Sequence, residues 1–147
     1  MSPIELSREA LEFLDRHARG HLATANRDGE PHVIPVCFAR VGGDLYTVCD
    51  EKPKRAGAKQ LKRLANLREN PRAALVVDDY DDEWSKLAYL LVHLVAAIVT
   101  DPGEYSTALA ALRQRYAPYI GMPLRADTNP MVRLQPTSAH FWTVAPR

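Results

Sequence analysis

Hydrophobic positions recur at helical spacing in three segments of the chain. The first begins at Ser2, where a capping serine, Pro3 at the first helical position and a glutamate soon after form a helix-start signature. The second covers residues 59–69 and stops before Pro71, and the third opens at Asp101. These patterns predict three amphipathic helices.

The remaining hydrophobic stretches follow the shorter period of β-strands. Residues 20–50 predict three strands joined by two turns, because Asp28-Gly29 and Gly42-Gly43 supply the positive-φ residues that hairpins need. Further strands are predicted at 72–80, 87–101 and 138–144. About six consecutive, antiparallel strands with flanking helices predict a mainly β fold, a small β-barrel decorated by helices.

Composition narrows the class of protein. A chain of 147 residues with 46% hydrophobic residues predicts one globular domain over 1–147, and a net charge of +1 argues against nucleic-acid binding. The N-terminus has no signal-peptide pattern, and no apolar run is long enough to span a bilayer, so we expect a cytoplasmic protein. Cys37 and Cys49 have no metal-type spacing and are expected to be buried free thiols.

Candidate chemistry is concentrated in one basic stretch. From Lys52 to Arg68 there are seven basic side chains and no acidic one. Lys59, Lys62 and Arg63 lie at i, i+3 and i+4, and hence on neighbouring helix surface. From the residues alone, this stretch is either a solvated helix face or an anion-binding site.

Other kinds of site find little support. The five histidines have no zinc-type pairing, and no Gly-x-Ser-x-Gly or Gly-rich phosphate loop is present. The acidic segment 78–83 lacks the spacing and the glycine of an EF-hand, which favours a solvated loop. No metal site is expected from these patterns.

Three segments together resemble one family. "ATANRDGEPHVIPVCF" (23–38), "LYTVCDEKPK" (45–54) and "LKRLANLRENPRAALVVDDYDDEW" (61–84) are similar, in this order, to the split β-barrel flavoproteins related to pyridoxamine 5′-phosphate oxidase. The acidic, Trp-bearing loop and short chain look most like the branch that uses the deazaflavin coenzyme F420. The resemblance implies a split β-barrel, a homodimer with two shared cofactor sites, and a coenzyme that is F420 or, as second choice, FMN.

The resemblance also implies roles for particular residues. The cofactor phosphate would be held by a loop-plus-helix clamp in which Arg63 matches the family's phosphate-binding lysine and Lys62 matches an arginine of the FMN-using oxidases. The implied positions are Lys52, Lys54, Lys59, Lys62 and Arg63 for the phosphate, Pro35, Val36, Cys37, Tyr46 and Thr47 for the ring, and Trp84 from the partner subunit. Taken individually, Tyr46 is better explained as a residue of the barrel core, and Trp84 is equally expected to cap the core or an interface.

The activity implied is that of an oxidoreductase that transfers hydride to a small conjugated or aromatic substrate. Two alternatives stay open: a non-catalytic carrier of a flavin or F420, and a relative that binds or degrades haem.

Overall fold

A computed structural model describes residues 2–50 and 61–144. These residues form seven strands, three α-helices and two short 3₁₀ turns, and the strands make one antiparallel sheet in the order β2-β1-β5-β6-β7-β4-β3. The strands are β1 Arg19–Ala25, β2 Pro31–Cys37, β3 Ala39–Val41, β4 Asp44–Val48, β5 Arg72–Asp79, β6 Ala88–Ile98 and β7 Met131–Thr143. The helices are α1 Arg8–Asp15, α2 Lys62–Glu69 and α3 Pro102–Arg115.

The sheet must curl, because two strands adjacent in sequence lie at its opposite edges. β2 and β3 are separated by Phe38 alone, yet they occupy the two ends of the strand order. Phe38 is fully buried, and its amide donates to the carbonyl of Ala18 at 3.0 Å. The chain therefore passes from one edge to the other at Phe38, and the mainly β split barrel predicted from sequence is confirmed. This break is also why there are seven strands rather than about six.

The two predicted hairpin turns are present. Gly29, between β1 and β2, has φ +82°, and Gly42, between β3 and β4, has φ +61°. A side chain with a Cβ is strained at such angles, so glycine sets both turns.

The last strand is longer than its hydrophobic pattern predicts. β7 begins at Met131 rather than near residue 138, and it continues through Pro136. Proline lacks a backbone N–H, and the β6–β7 register shifts between His93 and Leu94, close to where Pro136 lies in the partner strand. The irregularity accommodates a residue that otherwise argues against a strand.

The first helix begins later than predicted. Its N-cap is Ser7, whose hydroxyl accepts from the amide of Ala10 at 3.1 Å, and not Ser2. The segment before it is not helical, and the amide of Ile4 donates to the carbonyl of Pro136 at 3.0 Å. Attachment to β7 takes the place of the expected helical turn.

The other two helices pack on different parts of the sheet. α2 buries Leu64 and Leu67 in the barrel core, and α3 buries Leu109 and Leu112 in a second cluster with residues from β4. At the start of α3, Asp101 caps the amide of Glu104 at 2.8 Å, as its sequence signature predicts. Among the described residues, no helix is long and apolar enough to cross a membrane.

Candidate functional site

A cavity of about 230 Å³ opens at one end of the barrel. Its walls come from the ends of β2 and β4, the start of β1, the first turn of α2 and the segment after α3. The lining residues are Arg19, Pro35, Val36, Cys37, Thr47, Val48, Asp50, Arg63, Tyr116 and Tyr119. Five of the positions implied by the family resemblance are therefore in one place: Pro35, Val36, Cys37, Thr47 and Arg63.

The cationic part of the cavity is formed by Arg63 and Arg19. Arg63 lies in the first turn of α2 and is only 6% exposed, so this residue does not belong to a solvated helix face. Arg19 begins β1, where it is paired with Cys37 of β2. Two guanidinium groups at the rim and wall of a cavity favour an anionic ligand, because arginine binds carboxylates and phosphates through charge-assisted hydrogen bonds.

Of the four lysines that were also predicted to bind the phosphate, the structure describes Lys62 alone. Lys62 is about half-exposed, and its ammonium lies 3.8 Å from the carboxylate of Glu30. Lys62 is not among the described residues that line the cavity. The predictions for Lys52, Lys54 and Lys59 lie outside the described residues.

The apolar wall is held together by a side-chain hydrogen bond between strands. The hydroxyl of Thr47 on β4 donates to the carbonyl of Cys37 at the end of β2, at 2.8 Å. The thiol of Cys37 is half-buried, and burial is the main reason why its pKa is raised. The neutral thiol is a poor nucleophile, so Cys37 contributes wall surface.

Tyr46, predicted to contact the ring, and Trp84, predicted to flank the partner's site, both lie away from the cavity of this chain. Tyr46 precedes Thr47 on the same strand, and successive strand side chains point to opposite faces. The hydroxyl of Tyr46 donates to Glu104 of α3 at 2.7 Å, and its ring lies in the second core cluster. Trp84 is 75% exposed on the turn between β5 and β6 and does not line the cavity in this chain.

The lining of the cavity also contains an acid and two phenols, Asp50, Tyr116 and Tyr119. The hydroxyl of Tyr119 donates to Oδ2 of Asp50 at 2.6 Å, and the rings of Tyr116 and Tyr119 meet edge to face at 4.8 Å. Tyr119 is fully buried, and burial, reinforced by the Asp50 carboxylate, raises its pKa. The phenol therefore stays protonated and acts as a donor to Asp50.

Tyr119 is fixed by the preceding helix. The guanidinium of Arg113 on α3 donates to the carbonyl of Tyr119 at 3.0 Å and to that of Met122 at 2.8 Å. The sequence does not predict four of the residues that line the cavity: Arg19, Asp50, Tyr116 and Tyr119. No motif marks them, since they meet only when the barrel closes and α3 folds over its end.

The chain is a split-barrel protein with a cavity whose lining includes two arginines. The family described as pyridoxamine 5′-phosphate oxidase matches residues 6–143. The chain belongs to this family, which confirms the resemblance found in the sequence. Among curated proteins, none matches the chain.

Solved structures with this fold differ in the ligands that their names mention. An F420 reductase is 28% identical, with a TM-score of 0.63, over 93% of this chain and 98% of the other. An FAD-binding protein from Mesorhizobium loti is 20% identical, with a TM-score of 0.68, over 95% and 96% of the two chains. The haem storage protein HutZ from Vibrio cholerae is 19% identical, with a TM-score of 0.69, over 95% of each chain.

Proposed function

We propose that the protein is a cytoplasmic oxidoreductase that binds a phosphorylated flavin-type coenzyme and transfers hydride to a small conjugated or aromatic substrate. The coenzyme we propose is F420 first and FMN second. Membership of the pyridoxamine 5′-phosphate oxidase family supports a flavin-type ligand, and the 28% identical F420 reductase supports the deazaflavin.

The observation that carries this proposal is the position of Arg63 in the cavity wall. Arg63 is buried against the same cavity that the ends of β2 and β4 enclose, and Arg19 adds a second cation. A phosphate beside these groups would be held by charge-assisted hydrogen bonds that partial burial strengthens. The residues present therefore fit the anionic end of a flavin-type coenzyme.

The cavity of one chain is small for a whole coenzyme. Sites for drug-sized ligands measure roughly 300–1,000 Å³, whereas this cavity measures about 230 Å³. A flavin or deazaflavin would extend beyond it, so we propose that a second copy of the chain completes the site in a homodimer.

The outer face of the sheet supports that dimer. Tyr89, Leu91 and Val95 point outward from β6 on the face that also exposes His93. Trp142 on β7 stacks on Tyr89 at 5.7 Å while remaining 40% exposed. A group of outward apolar side chains on a sheet is typical of an interaction surface. Light scattering at micromolar concentration should show a dimer, and a monomer would contradict the shared site.

Haem binding is the second candidate, favoured by one observation. A groove beside the cavity shares Arg19 and Pro35 with it and contains His21, a residue type that ligates haem iron. The cavity itself offers weaker ligands for haem iron than His21. The raised pKa values of Cys37 and Tyr119 keep the thiol and the phenol protonated.

The proposed activity is tested by mixing the purified protein with reduced F420 and a panel of conjugated and aromatic acceptors. We expect oxidation of the coenzyme that depends on both protein and acceptor. Tight coenzyme binding with no turnover for any acceptor would favour the carrier alternative. A Soret band on adding haem, with no coenzyme binding, would favour the haem alternative.

A further inference from the structure

The lining of the cavity contains charges of both signs. Arg19 and Arg63 provide cations, whereas Asp50, two residues after the end of β4, provides a carboxylate. A ligand that fills this cavity therefore meets both positive and negative groups.

Asp50 is held in a fixed position by a buried partner. Its Oδ2 accepts the hydroxyl of Tyr119 at 2.6 Å, and Tyr119 is itself held through its carbonyl by Arg113. An ionised carboxylate has about four lone-pair positions on its two oxygens, so the bond to Tyr119 leaves capacity for further donors. Because a carboxylate accepts hydrogen bonds and cannot donate them, the ligand group that it binds must carry N–H or O–H.

We propose that Asp50, positioned by Tyr119, is a specificity-determining acceptor that binds an N–H or O–H donor of the coenzyme whose phosphate lies beside the two arginines. This inference rests on the proposed function. Flavins and deazaflavins carry two such donors: the imide N3–H of the ring system and the hydroxyls of the ribityl chain. The proposal concerns the shared donor chemistry, and ligand analogues distinguish the two sources.

The change in coenzyme affinity on neutralising Asp50 distinguishes a carboxylate that binds the coenzyme from one that only lies near it. If the carboxylate contacts no donor, its negative charge only repels the anionic coenzyme, and neutralising it should tighten binding. If the carboxylate accepts a hydrogen bond from the coenzyme, neutralising it should weaken binding, because charged acceptors form bonds roughly twice as strong as neutral ones. The sign of the change therefore decides between the two.

The experiment is a fluorescence titration of FMN and of N3-methyl-FMN into the wild-type protein and the Asp50→Asn variant. The matched control is Asp127→Asn, which removes the same charge from an exposed residue paired with Arg125 away from the cavity. We expect Asp50→Asn to weaken FMN binding about threefold to tenfold, the latter equivalent to about 1.4 kcal/mol, and Asp127→Asn to leave it unchanged. Tyr119→Phe, which keeps the ring but removes the donor to Asp50, should weaken FMN binding in the same direction.

The outcomes are distinct. Loss of the Asp50→Asn effect with N3-methyl-FMN would assign the donor to the ring imide, and persistence of the effect would assign it to the ribityl chain. Unchanged or tighter FMN binding by Asp50→Asn, in a wild-type background that binds FMN, would overturn this inference alone. If Asp50→Asn does not fold, Asp50→Ala, which also removes the negative charge, gives the same decision from the sign of its change in affinity. Failure of the wild type to bind either FMN or F420 would overturn the proposed function and this inference together.

Discussion

The helices α2 and α3 both flank the barrel, but their polar side chains have different partners. On α3, Glu104 receives the hydroxyl of Tyr46 at 2.7 Å and the guanidinium of Arg133 at 2.8 Å. Arg113 of the same helix donates to backbone carbonyls of the segment that follows it. The charges of α3 therefore hold the helix and the chain beyond it to the barrel.

On α2, the two buried polar side chains, Asn66 and Arg63, have different surroundings. Asn66 donates to the hydroxyl of Thr24 on β1 at 3.0 Å, which fixes the helix against the strand. Arg63, one turn earlier on the same buried face, lines the cavity. The comparison indicates that charged residues of α3 stabilise the fold, whereas Arg63 of α2 faces the cavity in which we propose that the coenzyme binds.

The largest expected effect is on coenzyme affinity when Arg63 is changed to methionine. Methionine keeps a long apolar side chain in a buried position but removes the charged donor, which typically contributes about 1.5–3 kcal/mol. We expect FMN to bind at least roughly tenfold more weakly in a fluorescence titration. Arg68→Met, on an exposed position of the same helix, is the matched control and should bind FMN normally. Equal affinities for the two variants would remove Arg63 from the site.

The next largest effect is on the stability of the fold when Arg113 is changed to methionine. This change removes two hydrogen bonds to the carbonyls of Tyr119 and Met122, so we expect a loss of about 2 kcal/mol. The melting temperature of the coenzyme-free protein should fall by about 4–8 °C in a calorimetric scan. Arg113 also holds Tyr119, which lines the cavity, so coenzyme affinity is not the quantity measured for this variant. An unchanged melting temperature would contradict the conclusion that the charged residues of α3 stabilise the fold.

A smaller, pH-dependent effect is expected for Glu104→Gln. Hydrogen bonds from Tyr46 and Arg133 lower the pKa of Glu104 in the folded protein. Since the folded pKa lies below the unfolded one, the stabilisation is present above the unfolded value and disappears as the pH falls through the folded value. We expect the variant to be less stable by about 0.5–1 kcal/mol near neutral pH, a modest figure because the carboxylate is solvent-screened. Urea unfolding below about pH 4 should show the difference shrinking, and a constant difference would refute this assignment.

The sequence predicts the fold well because the residues that set turns and helix ends act on their neighbours in the chain. Hairpin turns at Gly29 and Gly42 and the Asp101 cap of α3 depend on neighbouring residues, and the structure confirms them. The predicted start of α1 was wrong because the backbone hydrogen bond from Ile4 to Pro136 is a long-range contact, which a local sequence pattern does not reveal. The extent of β7 was missed because a strand containing proline requires a compensating register shift in its partner.

The residues of the cavity are predicted in part, for the same physical reason. The segment Pro35–Cys37 and Arg63 lie in two separate stretches, each continuous along the chain, that carry the family resemblance, and the structure brings them to one cavity. The Asp50–Tyr119 pair joins residues far apart in sequence through the closure of the barrel, and no spacing rule encodes it. The cofactor-binding roles of all the predicted residues stay predictions, both those that line the cavity and those that do not.

The most direct test of the central claim is an equilibrium titration of the wild-type protein with F420 and with FMN at low and at high salt. The basic stretch from Lys52 to Arg68 carries more positive charge than one phosphate requires, and the polyglutamyl tail of F420 supplies further anionic groups. We therefore expect both coenzymes to bind, F420 more tightly, with the difference shrinking as screening increases. Equal affinities at low salt would contradict the choice of deazaflavin, and binding of neither coenzyme would contradict a flavin-type site altogether.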